Sequence, residues 1–182
     1  MKKNRTYNTL FLISSVDGRI TTGESDERDI DKDFPKLKQI SKGLSQYYEL
    51  EQRTDYHSFN TGKVLAKIGF NNKNKKSKKI PVTFIIVDNK PHLTEIGVVN
   101  LMKRGKKVII VTKNKSHQAF KIKSKELEVI YYPEKNFTKL FERFKKRDKI
   151  NRVTIQSGGT MNSTLIRQGL IDQLSLVVAP AL

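Results

Sequence analysis

Two short apolar segments separated by one amphipathic stretch constrain the fold of this chain most strongly. The segments VTFIIVD at 82–88 and KKVIIVT at 106–112 are rich in β-branched residues, as buried strands are. Between them, TEIGVVNLMKRG places apolar residues at helical spacing and ends at Gly105. Two strands joined through a helix need a crossover connection, so they pair in parallel. The pattern therefore predicts an α/β fold with a largely parallel central sheet flanked by helices.

The same alternation extends through the rest of the chain. Further strands are predicted at 8–14, 127–132, 152–156 and 172–180. Helices are predicted at 34–53, at 136–148 with Asn136 as the cap, and at 160–168 with Gly169 ending the last one. A chain of 182 residues fits one domain with a single sizeable core, so we expect residues 1–182 to form one unit.

The cysteine and histidine content excludes several classes of site. Without cysteine the chain has no disulfide, no thiolate metal ligand and no cysteine nucleophile, and its three histidines show no ligand spacing. We therefore expect no metal. The apolar run at 10–13 is too short for a signal peptide, and no segment is long enough to span a bilayer. These features favour a cytoplasmic protein without membrane contact.

The net charge of +18 raises the question of a nucleic-acid partner, because lysine and arginine neutralise phosphates. The basic residues are spread along the chain, and only NNKNKKSKK at 71–79 is a dense cluster. This cluster lacks interleaved aromatic residues, so a solvated, flexible basic loop is the favoured interpretation.

Paired glycines in IQSGGTMN, at 155–162, stand where a predicted strand meets a predicted helix. Two interpretations remain open. Gly158 and Gly159 allow a close approach to a phosphate at the helix N-terminus, or they form a tight turn that needs positive φ. Ligands of open parallel sheets bind at the carboxyl ends of the strands. The same logic marks Thr112 and the two residues after it, either as an anion contact or as a solvated strand end.

Two segments at opposite ends of the chain resemble one family. They are SSVDGRI at 14–20 and SGGTMNSTLIRQGLIDQLSLVVAPAL at 157–182. Together they resemble the pyrimidine reductase of riboflavin biosynthesis, the C-terminal reductase domain of the bifunctional deaminase-reductase. That family has a three-layer fold like that of dihydrofolate reductase. The segment at 157–182 is the more specific, since its glycine turn, helix, Gly-Leu-Ile-Asp and Ala-Pro follow in the family's order.

The resemblance implies an NADPH-dependent oxidoreductase that reduces the ribose of a phosphorylated ribosylaminopyrimidine to a ribityl chain. It implies that the cofactor's pyrophosphate binds at Ser157, Gly158, Gly159, Thr160 and Met161. It also implies a homodimer. The expected substrate is a small phosphorylated molecule, and nucleic acid is not an expected partner.

The matching Ser-x-Asp-Gly loop places Ser15, Asp17 and Gly18 where substrate and nicotinamide meet in the family. Asp17 is the candidate catalytic residue, as a hydrogen-bond partner of a ribose hydroxyl or as part of a proton relay. A plain Asp-Gly turn is the alternative for this position.

Departures from the family pattern leave the substrate open. An ungapped overlay puts Asn60, Lys63 and Lys67 where the family has a glycine, a threonine and an acid. The two lysines suit a phosphorylated substrate, although surface lysines that extend into solvent are equally compatible with the sequence. The cysteine-dependent zinc signature of the deaminase domain is absent from this sequence. We also expect a C-terminus shorter than the family's. An alternative function is a basic nucleic-acid-binding α/β domain without catalysis.

Overall fold

The structure is a computed structural model that describes residues 4–20, 33–41, 43–52, 55–73, 78–134 and 136–180. Most of the long loop predicted at 15–29 and the centre of the basic segment at 71–79 lie outside the described residues, as does Leu182.

The described chain forms a seven-stranded sheet in which every pair of neighbouring strands is parallel. The strands are β1 Tyr7–Ser14, β2 His57–Thr61, β3 Thr83–Val87, β4 Lys107–Thr112, β5 Leu127–Tyr131, β6 Arg152–Ile155 and β7 Gln173–Val178. Their order across the sheet is β5-β4-β3-β2-β6-β1-β7. The predicted class, α/β with a parallel central sheet, is confirmed.

Helices connect the strands as parallel pairing requires. They are α1 Lys38–Ser41, α2 Leu44–Gln52, α3 Gly62–Lys67, α4 Glu95–Arg104, α5 Phe137–Lys146 and α6 Gly159–Arg167. Short 3₁₀ turns lie at Phe34–Lys36 and Gln118–Lys121. Side-chain caps begin two of the helices: Thr94 accepts a hydrogen bond from the Gly97 amide, and Asn136 accepts one from the Thr138 amide.

The core lies on both faces of the sheet, which gives the molecule three layers. Successive strand residues point to opposite faces. Ile85 accordingly packs in a cluster with residues of α5 and α6, and its neighbour Ile86 packs in a second cluster with residues of α3 and α4. Both isoleucines are fully buried. The strands that carry them are therefore apolar on both sides, as a doubly covered parallel sheet requires.

One predicted helix differs from the structure, and two elements of the structure were not predicted from the sequence. The helix predicted at 34–53 is interrupted, since a 3₁₀ turn and two separate helices occupy this segment, and Gly43 lies between the helices. The pattern gave no strand for β2, which carries polar Ser58 and Asn60 in its buried centre. It also missed α3, which follows β2 directly. Among the described residues, no helix has the length and apolar character that crossing a membrane would require.

A buried ion pair joins the segment that precedes β1 to the loop that precedes β7. The Arg5 guanidinium donates to both carboxylate oxygens of Asp172, at 2.7 and 3.0 Å, and to the Gly169 carbonyl at 3.1 Å. The backbone amide of Asn8 donates to the same carboxylate at 2.8 Å. Asp172 is the acid of the Gly-Leu-Ile-Asp segment, so its contacts here are structural.

Candidate functional site

A cleft of about 730 Å³ lies over the carboxyl ends of four neighbouring strands, β1, β6, β2 and β3. This is the edge where open parallel sheets bind their ligands. Apolar residues such as Phe11, Val64 and Met161 line part of the wall, and lysines, Asp88 and His92 line another part. The combination of an apolar wall and a few polar groups is typical of a small-molecule site.

The Gly158-Gly159 turn lies in this cleft and connects β6 to α6. Gly158 is the N-cap of α6 with φ −72°, and within the described part of the chain the glycines with positive φ are Gly18, Gly69 and Gly169. The interpretation of the pair as a tight turn that needs positive φ is therefore wrong. A Cβ at Gly158 would lie 3.5 Å from Val64 Cγ2, and one at Gly159 would lie 3.7 Å from Ile20 Cδ1, which are ordinary contacts. Neither backbone conformation nor the surrounding protein requires glycine here.

The start of α6 lines the cleft. No side chain caps this helix among the described residues, and the first intrahelical bond runs from the Asn162 amide to the Gly158 carbonyl at 3.0 Å. The buried Asn162 side chain accepts from the Ser157 hydroxyl at 2.6 Å and donates to the Ser157 carbonyl at 2.7 Å, which fixes the turn. The free amides of a helix N-terminus favour an anion. The turn therefore fits the phosphate group of a ligand.

Three segments that are distant in sequence meet at the two glycines. Val64 of α3 lies beside Gly158, and Ile20, which follows the Ser-x-Asp-Gly loop, lies beside Gly159. Val64 and Ile20 both line the cleft. The structure thus brings the N-terminal loop, the segment after β2 and the glycine turn to one place.

The Ser-x-Asp-Gly loop forms a compact turn at the end of β1. The Gly18 amide donates to the Ser15 carbonyl at 3.0 Å. Gly18 has φ +81°, a backbone conformation that favours glycine at this position. The Ser15 hydroxyl donates to the Asp17 carboxylate, and Arg19 lies 3.0 Å from it. The Ser15 hydrogen bond chiefly, with the Arg19 charge, lowers the pKa of Asp17 below its ordinary value. Ser15, Asp17 and Gly18 do not line the cleft, whereas Ile13 before them and Ile20 after them do.

The two lysines that depart from the family pattern line the cleft. Lys63 and Lys67 lie one turn apart on α3, so they share a face of that helix. Asn60, the third departure, is buried in β2, and its side-chain oxygen accepts from the Thr61 amide at 2.8 Å. All five predicted cofactor residues from Ser157 to Met161 also line the cleft.

Thr112 does not line the cleft itself but contacts Asp88, which does. Its side chain is fully buried at the end of β4, and its hydroxyl donates to the Asp88 carbonyl at 2.7 Å. The alternative of a solvated strand end is wrong for this residue. Thr112 positions the backbone at the end of β3.

Asp88 is a site residue that the sequence pattern missed. It follows β3, is 1% exposed and lines the cleft. Its carboxylate accepts from the Leu93 amide at 3.0 Å, the His92 amide and ring Nδ1, each at 3.1 Å, and the His117 ring Nε2 at 3.1 Å. His92 and His117 are four and twenty-nine residues away, so no short sequence motif joins them.

Electrostatics and packing both fit an ionised Asp88. Burial alone would raise the pKa of this carboxyl, but the hydrogen bonds from His117, Leu93 and His92 outweigh burial and lower it. A Cβ at position 62 would overlap the Asp88 carboxylate. The close approach of the α3 backbone to Asp88 therefore requires glycine at this position. Among the described residues, no group of three or more acidic and histidine side chains is arranged to hold a metal ion.

A family model described as the RibD C-terminal domain matches residues 6–182. Comparison with curated proteins gives no match.

Solved structures with the same fold include three riboflavin-biosynthesis proteins. Saccharomyces cerevisiae riboflavin biosynthesis reductase Rib7 is 20% identical with a TM-score of 0.63, and the match covers 100% of this chain and 76% of that one. Acinetobacter baumannii RibD is 18% identical with a TM-score of 0.65, covering 100% and 48%. The Thermotoga maritima diaminohydroxyphosphoribosylaminopyrimidine deaminase/5-amino-6-(5-phosphoribosylamino)uracil reductase is 17% identical with a TM-score of 0.68, covering 99% and 46%. This chain therefore spans about half the length of the Acinetobacter baumannii and Thermotoga maritima proteins.

Proposed function

Because this chain belongs to the family of the RibD C-terminal domain, we propose that it is a pyrimidine reductase of riboflavin biosynthesis that uses NADPH. The proposed reaction reduces the ribose of a phosphorylated ribosylaminopyrimidine to a ribityl chain. The observation that carries the proposal is the uncapped Gly158-Gly159 turn in a cleft at the carboxyl ends of the strands.

Residues 157–161 are suited to hold the pyrophosphate of the cofactor. The two glycines leave the surface open where a side chain would otherwise stand, and the first amides of α6 supply hydrogen-bond donors. NADPH, when bound, supplies the hydride. The chain's own contribution is to hold the two reacting molecules in one cleft and to exclude water with its apolar wall, including Phe11 and Met161.

Asp17 is proposed to orient the substrate. Its lowered pKa keeps the carboxylate ionised at neutral pH, so it acts as a hydrogen-bond acceptor. An ionised carboxylate suits the role of holding a ribose hydroxyl better than that of donating a proton. Ser15 holds the carboxylate from one side, and Gly18 provides the turn that presents it.

Lys63 and Lys67 are proposed to bind the phosphate of the substrate. Both lie on the cleft face of α3, which starts at the end of β2, one strand away from the glycine turn on β6. A lysine contact of this kind binds substrate and transition state equally well, because the phosphate does not change during reduction of the ribose.

Titration with NADPH tests the cofactor site. Gly159→Val places a branched side chain where the pyrophosphate is proposed to lie, so binding should weaken several-fold in calorimetry. Ile166→Ala, at an exposed position of the same helix, controls for general disturbance of α6 and should bind as the wild type does. Identical titration of Gly159→Val and wild type would show that the site lies elsewhere. A protein that binds nucleic acid but no NADPH would favour the basic, non-catalytic alternative.

Steady-state kinetics tests the substrate assignment, with NADPH oxidation followed by absorbance. With the ribosylaminopyrimidine phosphate as substrate, Lys63→Ala should raise KM with little change in kcat. Asp17→Asn should lower kcat while NADPH affinity stays nearly constant, because the pyrophosphate turn is on another strand. An Asp17→Asn enzyme as active as wild type would leave Asp17 as a turn residue only. An NADPH-bound protein that turns over neither this substrate nor related heterocycles would contradict the substrate assignment.

A further inference from the structure

A row of positive charges and two exposed tyrosines lies on the side of the sheet away from the cleft. All strands of the sheet run parallel, so they begin on one side and end at the cleft on the other. We call the side where the strands begin the amino edge. It is defined by exposed residues at or just before six strand starts: Lys125 for β5, Lys106 for β4, Lys79 for β3, Tyr56 for β2, Arg152 for β6 and Tyr7 for β1.

Backbone hydrogen bonds make the amino edge continuous. The Thr83 amide donates to the Tyr56 carbonyl at 2.8 Å, which joins the start of β3 to that of β2. The Tyr7 amide donates to the Asn151 carbonyl at 2.8 Å, which joins the start of β1 to that of β6. Neighbouring strands lie about 4.8 Å apart, so the five steps from β5 to β1 span about 24 Å. A row of this length suits an extended polymer.

The acids near the amino edge do not cancel its charge. Asp55 accepts from Arg152 at 2.8 Å, and Glu128 accepts from Lys107 at 2.7 Å. The two acidic side chains are 15% and 22% exposed, whereas the Arg152 side chain is 57% exposed. The remaining acids of the described segments that lead into strands are also partly or fully buried: Glu126, Asp148 and Asp172. The exposed charge of the amino edge is therefore positive.

Helix dipoles account for only part of the positive charge on this side of the molecule. Lys103 and Lys146, exposed in the last turns of α4 and α5, complement the partial negative charge of helix C-termini. Lys106, Lys125 and Arg152 instead precede or begin strands, and sheets have only small dipoles. Stabilisation of the helices therefore does not explain these three cations.

The tyrosines give the amino edge a second kind of contact. Tyr56 is 64% exposed and Tyr7 is 40% exposed. The Arg152 guanidinium lies 5.0 Å from the centre of the Tyr7 ring, in a cation–π contact. Strands β2 and β6 pair with Ser58 opposite Thr154, and this register brings Tyr56, two residues earlier, next to Arg152. Two aromatic rings and a guanidinium thus lie together among lysines.

This combination is the one that single-stranded nucleic acids bind, because bases stack on aromatic rings and arginine planes while phosphates contact cations. We propose that the amino edge binds single-stranded nucleic acid, with Tyr56 and the Arg152–Tyr7 pair stacking on bases and the lysines contacting phosphates. The sequence did not indicate this partner, because its dense basic cluster at 71–79 lacks aromatic residues. The fold supplies them from separate strands. The proposal is independent of the proposed reductase function.

Fluorescence anisotropy with a short labelled oligouridylate tests the stacking contact. Tyr56→Leu should weaken binding about tenfold, because the base loses its aromatic partner. Tyr131→Leu is the matched control, since Tyr131 is an exposed tyrosine at the carboxyl end of β5, and it should bind as the wild type does. Polyphosphate has no bases and should bind Tyr56→Leu and wild type equally. Equal oligonucleotide affinity of Tyr56→Leu and wild type would overturn the proposal, as would a wild type that binds only polyphosphate.

The salt dependence of binding tests the charge contact. Lys106→Gln should weaken binding several-fold and reduce the slope of log affinity against log salt by about 0.7, because one phosphate contact is lost. Lys113→Gln removes the same charge at the other end of β4, about 23 Å away, and should leave the slope unchanged. Equal slopes for the two variants would show that binding follows net charge alone, which would contradict the proposal.

Competition with NADPH distinguishes the amino edge from the cleft. Saturating NADPH should leave the oligonucleotide affinity unchanged, because the cleft lies at the other ends of the strands. Displacement of the oligonucleotide by NADPH would place the nucleic acid in the cleft and refute the proposal. A protein that binds no NADPH would contradict the proposed function instead, and the two matched pairs of variants would still decide whether the amino edge binds nucleic acid.

Discussion

Asp172 has a structural role although it belongs to the most specific part of the family resemblance. Its side chain and that of Arg5 are 4% and 8% exposed, and their paired hydrogen bonds join segments that are 167 residues apart. Removing one member of a buried ion pair leaves the other charge without compensation. Loss of either side chain should therefore destabilise the fold.

We expect Asp172→Asn to lower the free energy of unfolding by about 3 kcal/mol. Urea denaturation followed by circular dichroism measures this. The control is Glu134→Gln, which breaks the exposed Lys139–Glu134 pair and should change stability by less than about 1 kcal/mol. Equal effects of the two substitutions would mean that the Arg5–Asp172 pair does not stabilise the fold.

Asp88 should make stability depend on pH in the acid range. Its folded pKa is lowered, so between that value and the unfolded value near 3.9 the unfolded chain binds more protons. The stabilisation by Asp88 is therefore present above about pH 4 and is lost as the pH falls through the folded pKa.

The comparison of wild type with Asp88→Asn isolates this contribution. The variant should be less stable than wild type at pH 7 by about 2 kcal/mol, since its amide faces hydrogen-bond donors. Denaturation curves collected between neutral pH and about pH 3 should show the difference shrinking on acidification. A difference that stays constant over this range would contradict the assignment of the lowered pKa to Asp88.

The junction of β2 and α3 depends on one glycine. Gly62 begins α3, and the Asp88 carboxylate occupies the space where a Cβ would lie. Gly62→Ala should therefore displace the carboxylate and lower stability by about 2 kcal/mol, because overpacking moves neighbouring groups.

Gly159→Ala is the matched control for Gly62→Ala in the absence of ligand. Its Cβ has space beside Ile20, and alanine favours a helix over glycine, so stability should stay equal or rise by up to about 1 kcal/mol. Thermal unfolding of the two variants and of the wild type measures both changes in stability. A Gly62→Ala protein as stable as wild type would show that Asp88 has room to move.

Elements with apolar periodicity were predictable from the sequence, and β2 was not. Strands such as β3 and β4 are recognisable because both of their faces are buried. β2 is equally buried but carries Ser58, whose hydroxyl donates to Gln156, and Asn60. Side-chain hydrogen bonds that satisfy a polar strand leave no trace in a hydrophobicity pattern. The glycine turn was predictable because its residues are adjacent in the sequence and form a recognisable motif.

The hydrogen-bonded cluster of Asp88, His92 and His117 could not be predicted from the sequence, because the fold assembles it from separate segments. Asp88 and His117 come together only when β3 and β4 pair and the 3₁₀ turn packs beside them. The interrupted segment at 34–53 shows a related limit, since its spacing is helical throughout and Gly43 gave the only indication of a break.

At the scale of the whole molecule, β7 forms one edge of the described sheet. Leu174, Leu176 and Val178 are exposed along one face of this strand. An edge strand with exposed apolar side chains favours association with another chain. We therefore expect a homodimer, as the family resemblance also implies.

Sedimentation at micromolar concentration measures the oligomeric state. Leu176→Lys should shift the equilibrium toward monomer, because it places a charge in the contact. Ile166→Lys, at an exposed site on α6, should leave it unchanged. A wild-type protein that sediments only as a monomer would contradict the expectation.

The place of β1 in the sheet has a consequence for synthesis. β1 pairs with β6 on one side and β7 on the other, so both neighbours of the first strand are made last. Until the ribosome has passed residue 178, Leu10 and the apolar residues that follow it have no complete partner surface. Contacts this far apart in sequence slow folding. The nascent chain should therefore reach its native state only after β7 has left the ribosome, and until then its N-terminal strand is a site where chaperones bind.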